Sequence, residues 1–117
     1  MNFQIEYHKG FSIITTKVDK LNANLSPELK GIFVDVNKNN IHSMIIDMTD
    51  TSYCDSSGLS ALLTANRLCK NSNGNFVLCG LQENVRKMIE IAQLHRVLNI
   101  EETLPDALAF IKNEIED

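Results

Sequence analysis

The sequence predicts an α/β fold, in which a mixed, mostly parallel central sheet of four to five strands starts with an antiparallel hairpin and is flanked by about four helices. Three observations support this prediction. Two β-rich segments open the chain, amphipathic helices then alternate with short apolar runs, and the length suits one domain. With 117 residues, 44% hydrophobic and 22% charged, we expect a single domain over residues 1–117.

The first strand pair is predicted from "FQIEYHKG" and "FSIITTKV". Phe3, Ile5 and Tyr7 alternate onto one face of the first segment, and the second segment is rich in β-branched residues. Gly10 stands between the two segments and favours a turn. The two strands should therefore be antiparallel.

The first helix is predicted from "LSPELKGIFVDVN". Ser26 is the expected N-cap, and Pro27 is the expected first helical residue. Apolar residues recur with the i, i+3, i+4, i+7 spacing of an amphipathic helix, at Leu29, Ile32, Phe33 and Val36.

Strands and helices alternate through the rest of the chain. "SMIIDM" and "FVLCG" have the continuous apolar character of strands covered on both faces, and a helix from Ser57 to about Lys70 connects them. "QENVRKMIEIAQL" predicts a third helix, and "VLNI" predicts a last short strand. "TLPDALAFIKNEI" predicts a final helix that opens with Thr103 and Asp106 as a capping box.

Composition argues against several classes of function. The net charge is −4, and the eleven Lys and Arg residues are scattered, so no basic stripe can follow a nucleic acid backbone. No apolar run approaches the roughly 18 residues needed to span a bilayer, and the N-terminal residues lack the pattern of a signal peptide. We expect a cytoplasmic protein that neither binds nucleic acid nor inserts into a membrane.

The three cysteines do not suggest a metal or disulfide site. Cys54, Cys69 and Cys79 are an odd number with no close pair, which argues against a disulfide framework and against zinc. We expect them to be small buried hydrophobic residues and predict no metal or cofactor. The alternative is a reactive thiol at Cys54, although no neighbouring His or Lys is present to lower its pKa.

The run "TSYCDSSGLSALL" holds the candidate site. Asp55, Ser56, Ser57 and Gly58 follow a predicted strand, at the carboxyl end where functional groups gather in sheets of this kind. Asp55 or either serine can act as the N-cap of the next helix. A cap needs only one such side chain, and Gly58 in the first turn lets another surface approach the backbone closely. The run therefore contains more polar side chains than capping of the helix requires.

The same run does not predict an enzyme. A hydrolase elbow reads G-x-S-x-G, and Cys54 stands in the place of its first glycine. A nucleophilic Ser56 would also need a base, and the candidates His8, His42 and His95 are better explained as surface or helix-terminal residues. Neither glycine-rich phosphate-binding motif occurs. Exposed hydroxyls at a helix N-terminus remain, and they suit a covalently attached phosphate.

The segment "IIDMTDTSYCDSSGLSALL" resembles the anti-sigma factor antagonists, the single-domain members of the STAS group (sulphate transporter and anti-sigma antagonist). Asp55 to Leu59 match the family motif D-S-[ST]-G-L, and the element order resembles that of the family across nearly the entire chain. Two departures bear on the partner more than on the fold. "KVDKLNANL" lacks the glycine of a common G-x-L-D motif, and Gln93 takes a place often filled by glycine.

The resemblance implies a phosphorylation switch. Ser56 would be phosphorylated by an ATP-dependent serine kinase that is itself the anti-sigma factor, and a metal-dependent, PP2C-like phosphatase would reverse this. The unphosphorylated form would bind the kinase and so release a sigma factor. Ser57 would cap or support the helix, and Asp55 would orient the acceptor or contact the partner.

The resemblance also implies a partner-binding surface, which comprises Asp55, Ser57, Gly58, Leu59 and Asn22. An alternative is a STAS-type structural or regulatory subunit of a transporter or scaffold complex, which would use the same surface without phosphorylation. The sequence leaves open whether the N-terminal hairpin supports a homodimer.

Overall fold

A five-stranded sheet lies between helices on both of its faces in the computed structural model, which describes residues 2–115. In chain order the strands and helices are β1 (Phe3–His8), β2 (Phe11–Thr16), β3 (Lys20–Leu21), α1 (Ser26–Lys38), β4 (Met44–Asp47), β5 (Tyr53–Cys54), α2 (Ser56–Asn71), β6 (Phe76–Cys79), α3 (Glu83–Ile91), β7 (Asn99–Glu101) and α4 (Leu104–Ile115). The sheet order is β1-β2-β4-β6-β7. β1 pairs antiparallel with β2 and all other neighbours pair in parallel, which confirms the predicted mixed sheet.

Helices α1, α2 and α3 cover one face of the sheet, and α4 covers the other. The pleat of β4 turns Met44 and Ile46 toward the three helices and Ile45 toward α4, and all three side chains are fully buried. This is the environment that a continuous apolar strand predicts. Within residues 2–115, no helix has the length and apolar character needed to cross a membrane.

A second, two-stranded sheet was not predicted from the sequence. β3 and β5 pair in parallel, with Lys20 opposite Tyr53 and Leu21 opposite Cys54. Each strand has only two residues, which is too short for a periodic pattern to reveal. The pairing joins the segment that leads into α1 to the segment that leads into α2.

The predicted N-cap of α1 is wrong. Ser26 is the first helical residue, and its hydroxyl donates a 2.8 Å hydrogen bond to the carbonyl oxygen of Asn22 instead of accepting one from a later N–H. The reason is that the chain already turns before the helix begins, because the N–H groups of Leu25 and Ser26 both donate to the Asn22 carbonyl. Pro27 is then the second residue of α1, one position later than predicted.

Helices α3 and α4 differ in how well their ends were predicted. The N–H of Asp106 donates to the hydroxyl oxygen of Thr103 at 3.2 Å, which is the N-cap contact expected of the capping box. Helix α3 is shorter than predicted and ends at Ile91. Gln93 follows with a φ of 60°, and the chain continues into a 3-10 turn at Leu94–Arg96.

Candidate functional site

Asp55 is the N-cap of α2, a role for which the sequence offered Asp55, Ser56 and Ser57. Its backbone is extended, and its Oδ1 atom accepts a 2.9 Å hydrogen bond from the N–H of Gly58. Its own N–H donates to the carbonyl oxygen of Leu21 at 3.1 Å. Asp55 is therefore held by both neighbouring elements, and it fixes where α2 begins.

Ser56 is the first residue of α2 and is exposed. Its hydroxyl forms no hydrogen bond within residues 2–115, whereas the carboxylate of the preceding Asp55 is engaged by the helix. A residue at this position lies at the positive end of the helix dipole. Within residues 2–115, the structure thus places an exposed hydroxyl without a hydrogen-bond partner at the capped start of a helix.

Another surface does approach the backbone closely at Gly58, as predicted, but it belongs to the chain itself, and a contact of Gly58 with a partner stays a prediction. A Cβ atom at Gly58 would lie 2.5 Å from Cys54 Sγ and 2.7 Å from the carbonyl oxygen of Leu21. The space beside Gly58 is therefore filled by β3 and β5 of the chain itself. Leu59 is only 8% exposed and belongs to the core. Gly58 and Leu59 therefore support the start of α2 through contacts in the interior.

Asn22 lies close to this site because of the β3–β5 pairing. Leu21 is paired with Cys54, so the residues that follow them, Asn22 and Asp55, leave the small sheet side by side. The side-chain oxygen of Asn22 accepts from the N–H of Asn24 at 3.0 Å. Asn22 therefore organises the turn into α1, and its place in a partner surface stays a prediction.

The starts of α1 and α2 enclose a groove of about 270 Å³, which we call the α1–α2 groove. One wall is formed by residues of α2 and the other by the start of α1, and the lining residues are Ser56, Ser57, Ser60, Ala23, Ser26, Pro27 and Lys30. Lys30 is the single charged residue among them. The groove is accordingly polar, and the exposed residue Ser56 is part of its wall.

Lys30 and Ala23 were missed from the sequence. The groove joins two helix starts that are about thirty residues apart in the chain, and only the packing of α1 on α2 brings them together. The spacing of Ser26 and Lys30, one helical turn apart, was the available signal.

The three histidines that were considered as bases for Ser56 belong to other parts of the structure. The candidate bases lie elsewhere: His8 contacts Glu6 at 3.0 Å, His42 contacts Asn37 at 2.9 Å, and His95 lies in the 3-10 turn. Residues 2–115 contain no cluster of three or more side chains suited to holding a metal ion.

The three thiols are all buried, as predicted. Burial, with a smaller effect from the charge of Asp55, raises the pKa of Cys54 to about 12. A thiol with such a pKa is protonated at neutral pH, so the alternative of a reactive Cys54 is wrong.

Comparison with known proteins agrees with this geometry. The family model of the STAS domain matches residues 4–107. The anti-sigma-B factor antagonist of Staphylococcus epidermidis is 23% identical over 103 residues, which is 87% of this chain and 95% of the relative.

Two solved structures show the same fold. A putative anti-sigma factor antagonist from Thermotoga maritima has a TM-score of 0.83 at 19% identity and covers 94% of each chain. The anti-sigma factor antagonist SpoIIAA in its unphosphorylated form has a TM-score of 0.81 at 19% identity, over 95% of this chain and 96% of that one.

Proposed function

The chain belongs to the STAS domain family, and from this premise we propose that it is an anti-sigma factor antagonist whose binding is switched by phosphorylation of Ser56. In its unphosphorylated form it captures an anti-sigma serine kinase in the cytoplasm, and a sigma factor is thereby released. The observation that carries the proposal is the exposed, unengaged hydroxyl of Ser56 at the start of α2.

In residues 2–115 the carboxylate of Asp55 is engaged by the N–H of Gly58 and the three histidines lie in other parts of the chain, which fits the role of Ser56 as an acceptor. In the proposed step, Ser56 Oγ attacks the γ-phosphorus of ATP, the bond to the β–γ bridging oxygen breaks, and ADP leaves with that electron pair. The hydroxyl proton passes to a base of the kinase. Phosphoryl transfer depends on positioning, metal ions and a base, all of which the kinase supplies. The chain needs only to hold Ser56 still, which the Asp55 cap does.

A phosphate on Ser56 changes the binding surface far more than it changes the fold. It adds roughly −1.5 to −2 charges at neutral pH, beside Asp55 and on a chain whose net charge is already −4. The dipole of α2 stabilises negative charge at this position, so the domain tolerates the phosphate. In a close-packed interface the same charge is desolvated or repelled, and the kinase is released.

The switch is reset by hydrolysis. In a metal-dependent, PP2C-like phosphatase, water attacks the phosphorus, the bond to Ser56 Oγ breaks, and the serine oxygen takes up a proton as inorganic phosphate leaves. The exposure of Ser56 gives this second enzyme access to the same atom.

Radiolabelled ATP and the anti-sigma serine kinase of the source organism test the proposal. We expect the chain to be labelled and the Ser56→Ala variant to remain unlabelled. Ser57→Ala is the matched control, because it removes the neighbouring hydroxyl of the same groove and should leave labelling intact. Label that persists in Ser56→Ala, or that is lost only in Ser57→Ala, would show the assignment to be wrong.

A further inference from the structure

Lys30 faces the proposed acceptor across the α1–α2 groove. Its side chain comes from α1, whereas Ser56 lies at the start of α2, and both line the same volume of about 270 Å³. Lys30 is half-buried, and a lysine in such a position can pack its four-carbon stem on the protein while its ammonium stays in solvent.

The charge of Lys30 has no acidic partner within residues 2–115, where the ion pairs of lysine are those of Lys17 and Lys87. Lys87, by contrast, lies four residues after Glu83, and its ammonium group contacts the Glu83 carboxylate at 3.5 Å. The positions three and four residues from Lys30 are Ser26, Pro27, Phe33 and Val34. Its own helix therefore offers no acidic side chain at those positions.

We propose that Lys30 holds the phosphoryl group of phosphorylated Ser56 inside the α1–α2 groove. This inference rests on the proposed function of Ser56 and adds the residue that receives its phosphate. A flexible ammonium suits this task, since it acts as a point charge that can follow the phosphate oxygens. The phosphate then bridges α1 to α2 and fills the groove, so a partner meets an altered shape as well as an added charge.

Asp55 precedes Ser56 in the chain, and Lys30 is the charged residue that lines the groove with Ser56. Asp55 raises the second pKa of the phosphate because like charges favour protonation, and Lys30 lowers it. A unit charge in contact with the phosphate, at about 4 Å in water-like surroundings, shifts a pKa by about 0.7 unit. This shift is measurable by ³¹P NMR without any partner protein.

The test uses protein in which phosphoserine is incorporated at position 56 during translation, so no kinase is required. We expect Lys30→Gln to raise the second pKa of the phosphate by about 0.7 unit, and Lys30→Arg to restore the original value. Lys70→Gln is the matched control, because it removes the same charge from the exposed far end of α2, about 21 Å from Ser56. It should leave the pKa unchanged.

An unchanged pKa in Lys30→Gln would overturn the proposal, and so would an equal shift in Lys70→Gln, which would indicate a general charge effect. Because the phosphate is installed directly, either result leaves the acceptor role of Ser56 standing. Conversely, a kinase that fails to label Ser56 would refute the proposed function while the Lys30–phosphate contact could still be measured.

Discussion

The carbonyl oxygen of Leu21 lies so close to Gly58 that a Cβ atom added there would stand 2.7 Å from it. The same carbonyl accepts the N–H of Asp55 at 3.1 Å. One backbone oxygen of the small β3–β5 sheet therefore contacts both the cap and the first turn of α2. This contact sets the height of α2 above β3, and with it the position of Ser56.

Gly58→Ala should therefore destabilise the domain. The added methyl group meets a backbone oxygen, which cannot move without shifting β3, and the buried Cys54 Sγ, which would have to change its rotamer inside the core. We expect the free energy of unfolding to fall by about 1–3 kcal/mol, as in other overpacked interiors. Urea denaturation followed by circular dichroism measures this change.

Gly31→Ala is the matched control for that experiment. Gly31 lies in α1, is exposed, and has no atom within 4 Å of an added Cβ. Alanine is a better helix former, so this variant should be more stable by up to about 1 kcal/mol. Equal effects of the two substitutions would contradict the close contact at Gly58.

Asp55→Ala should cost about 1 kcal/mol of stability, because the N–H of Gly58 loses its side-chain acceptor. Asp55→Asn keeps an oxygen in the same place and removes the charge, so it should retain most of the stability. Thermal unfolding of the two variants separates the contribution of the capping hydrogen bond to stability from that of the negative charge. If Asp55→Asn were as damaging as Asp55→Ala, the carboxylate would matter for its charge and not as a cap.

The order of helices and strands could be predicted because most of them are long enough for the spacing of their apolar residues to be recognised. The small β3–β5 sheet could not, since a two-residue strand has no period, and its parallel pairing depends on tertiary contact. The error at Ser26 has a similar origin. Ser-Pro is a typical helix start, but the hydrogen bonds that Asn22 accepts place the first turn earlier.

The candidate site was predicted in part. The polar run identified Asp55, Ser56 and Ser57, all of which lie at the start of α2. The contact of Gly58 with β3 could not be predicted, because it depends on which segment packs against its Cα atom in the folded chain. Lys30 depends in the same way on the packing of α1 against α2.

Gln93→Gly should stabilise the domain. Gln93 has a φ of 60°, a left-handed conformation that costs an L-residue with a side chain roughly 1–2 kcal/mol. Glycine relieves this cost but gains freedom in the unfolded chain, so we expect a net increase of about 0.5 kcal/mol in the free energy of unfolding. Gln93→Ala retains the strained conformation and serves as the control. If the glycine variant were no more stable than the alanine variant, the backbone of Gln93 would not be strained.

Stability should fall at alkaline pH because of the cysteines. Burial raises the pKa values of Cys54, Cys69 and Cys79 to about 12, whereas unfolded thiols ionise near about 8.5. Between these values the folded state binds more protons than the unfolded state, so each unit rise in pH lowers the free energy of unfolding. Urea titrations from pH 7 to 11 measure this slope. Replacing Cys69 with Ala should reduce it, and an unaltered slope would argue against ionisation of that thiol.

Ser56→Asp should lose the proposed kinase partner, whereas Ser56→Ala should keep it. The aspartate places a negative charge at the exposed start of α2, where a close-packed interface would desolvate or repel it, and we expect affinity to fall by at least about tenfold. Asn71→Asp is the matched control, since it adds the same charge at the far end of α2, about 22 Å away. Isothermal titration calorimetry with the anti-sigma serine kinase gives the three affinities. A constitutive subunit of a transporter or scaffold complex would show no such asymmetry, so equal affinities for the Ala and Asp variants would favour that alternative over a switch.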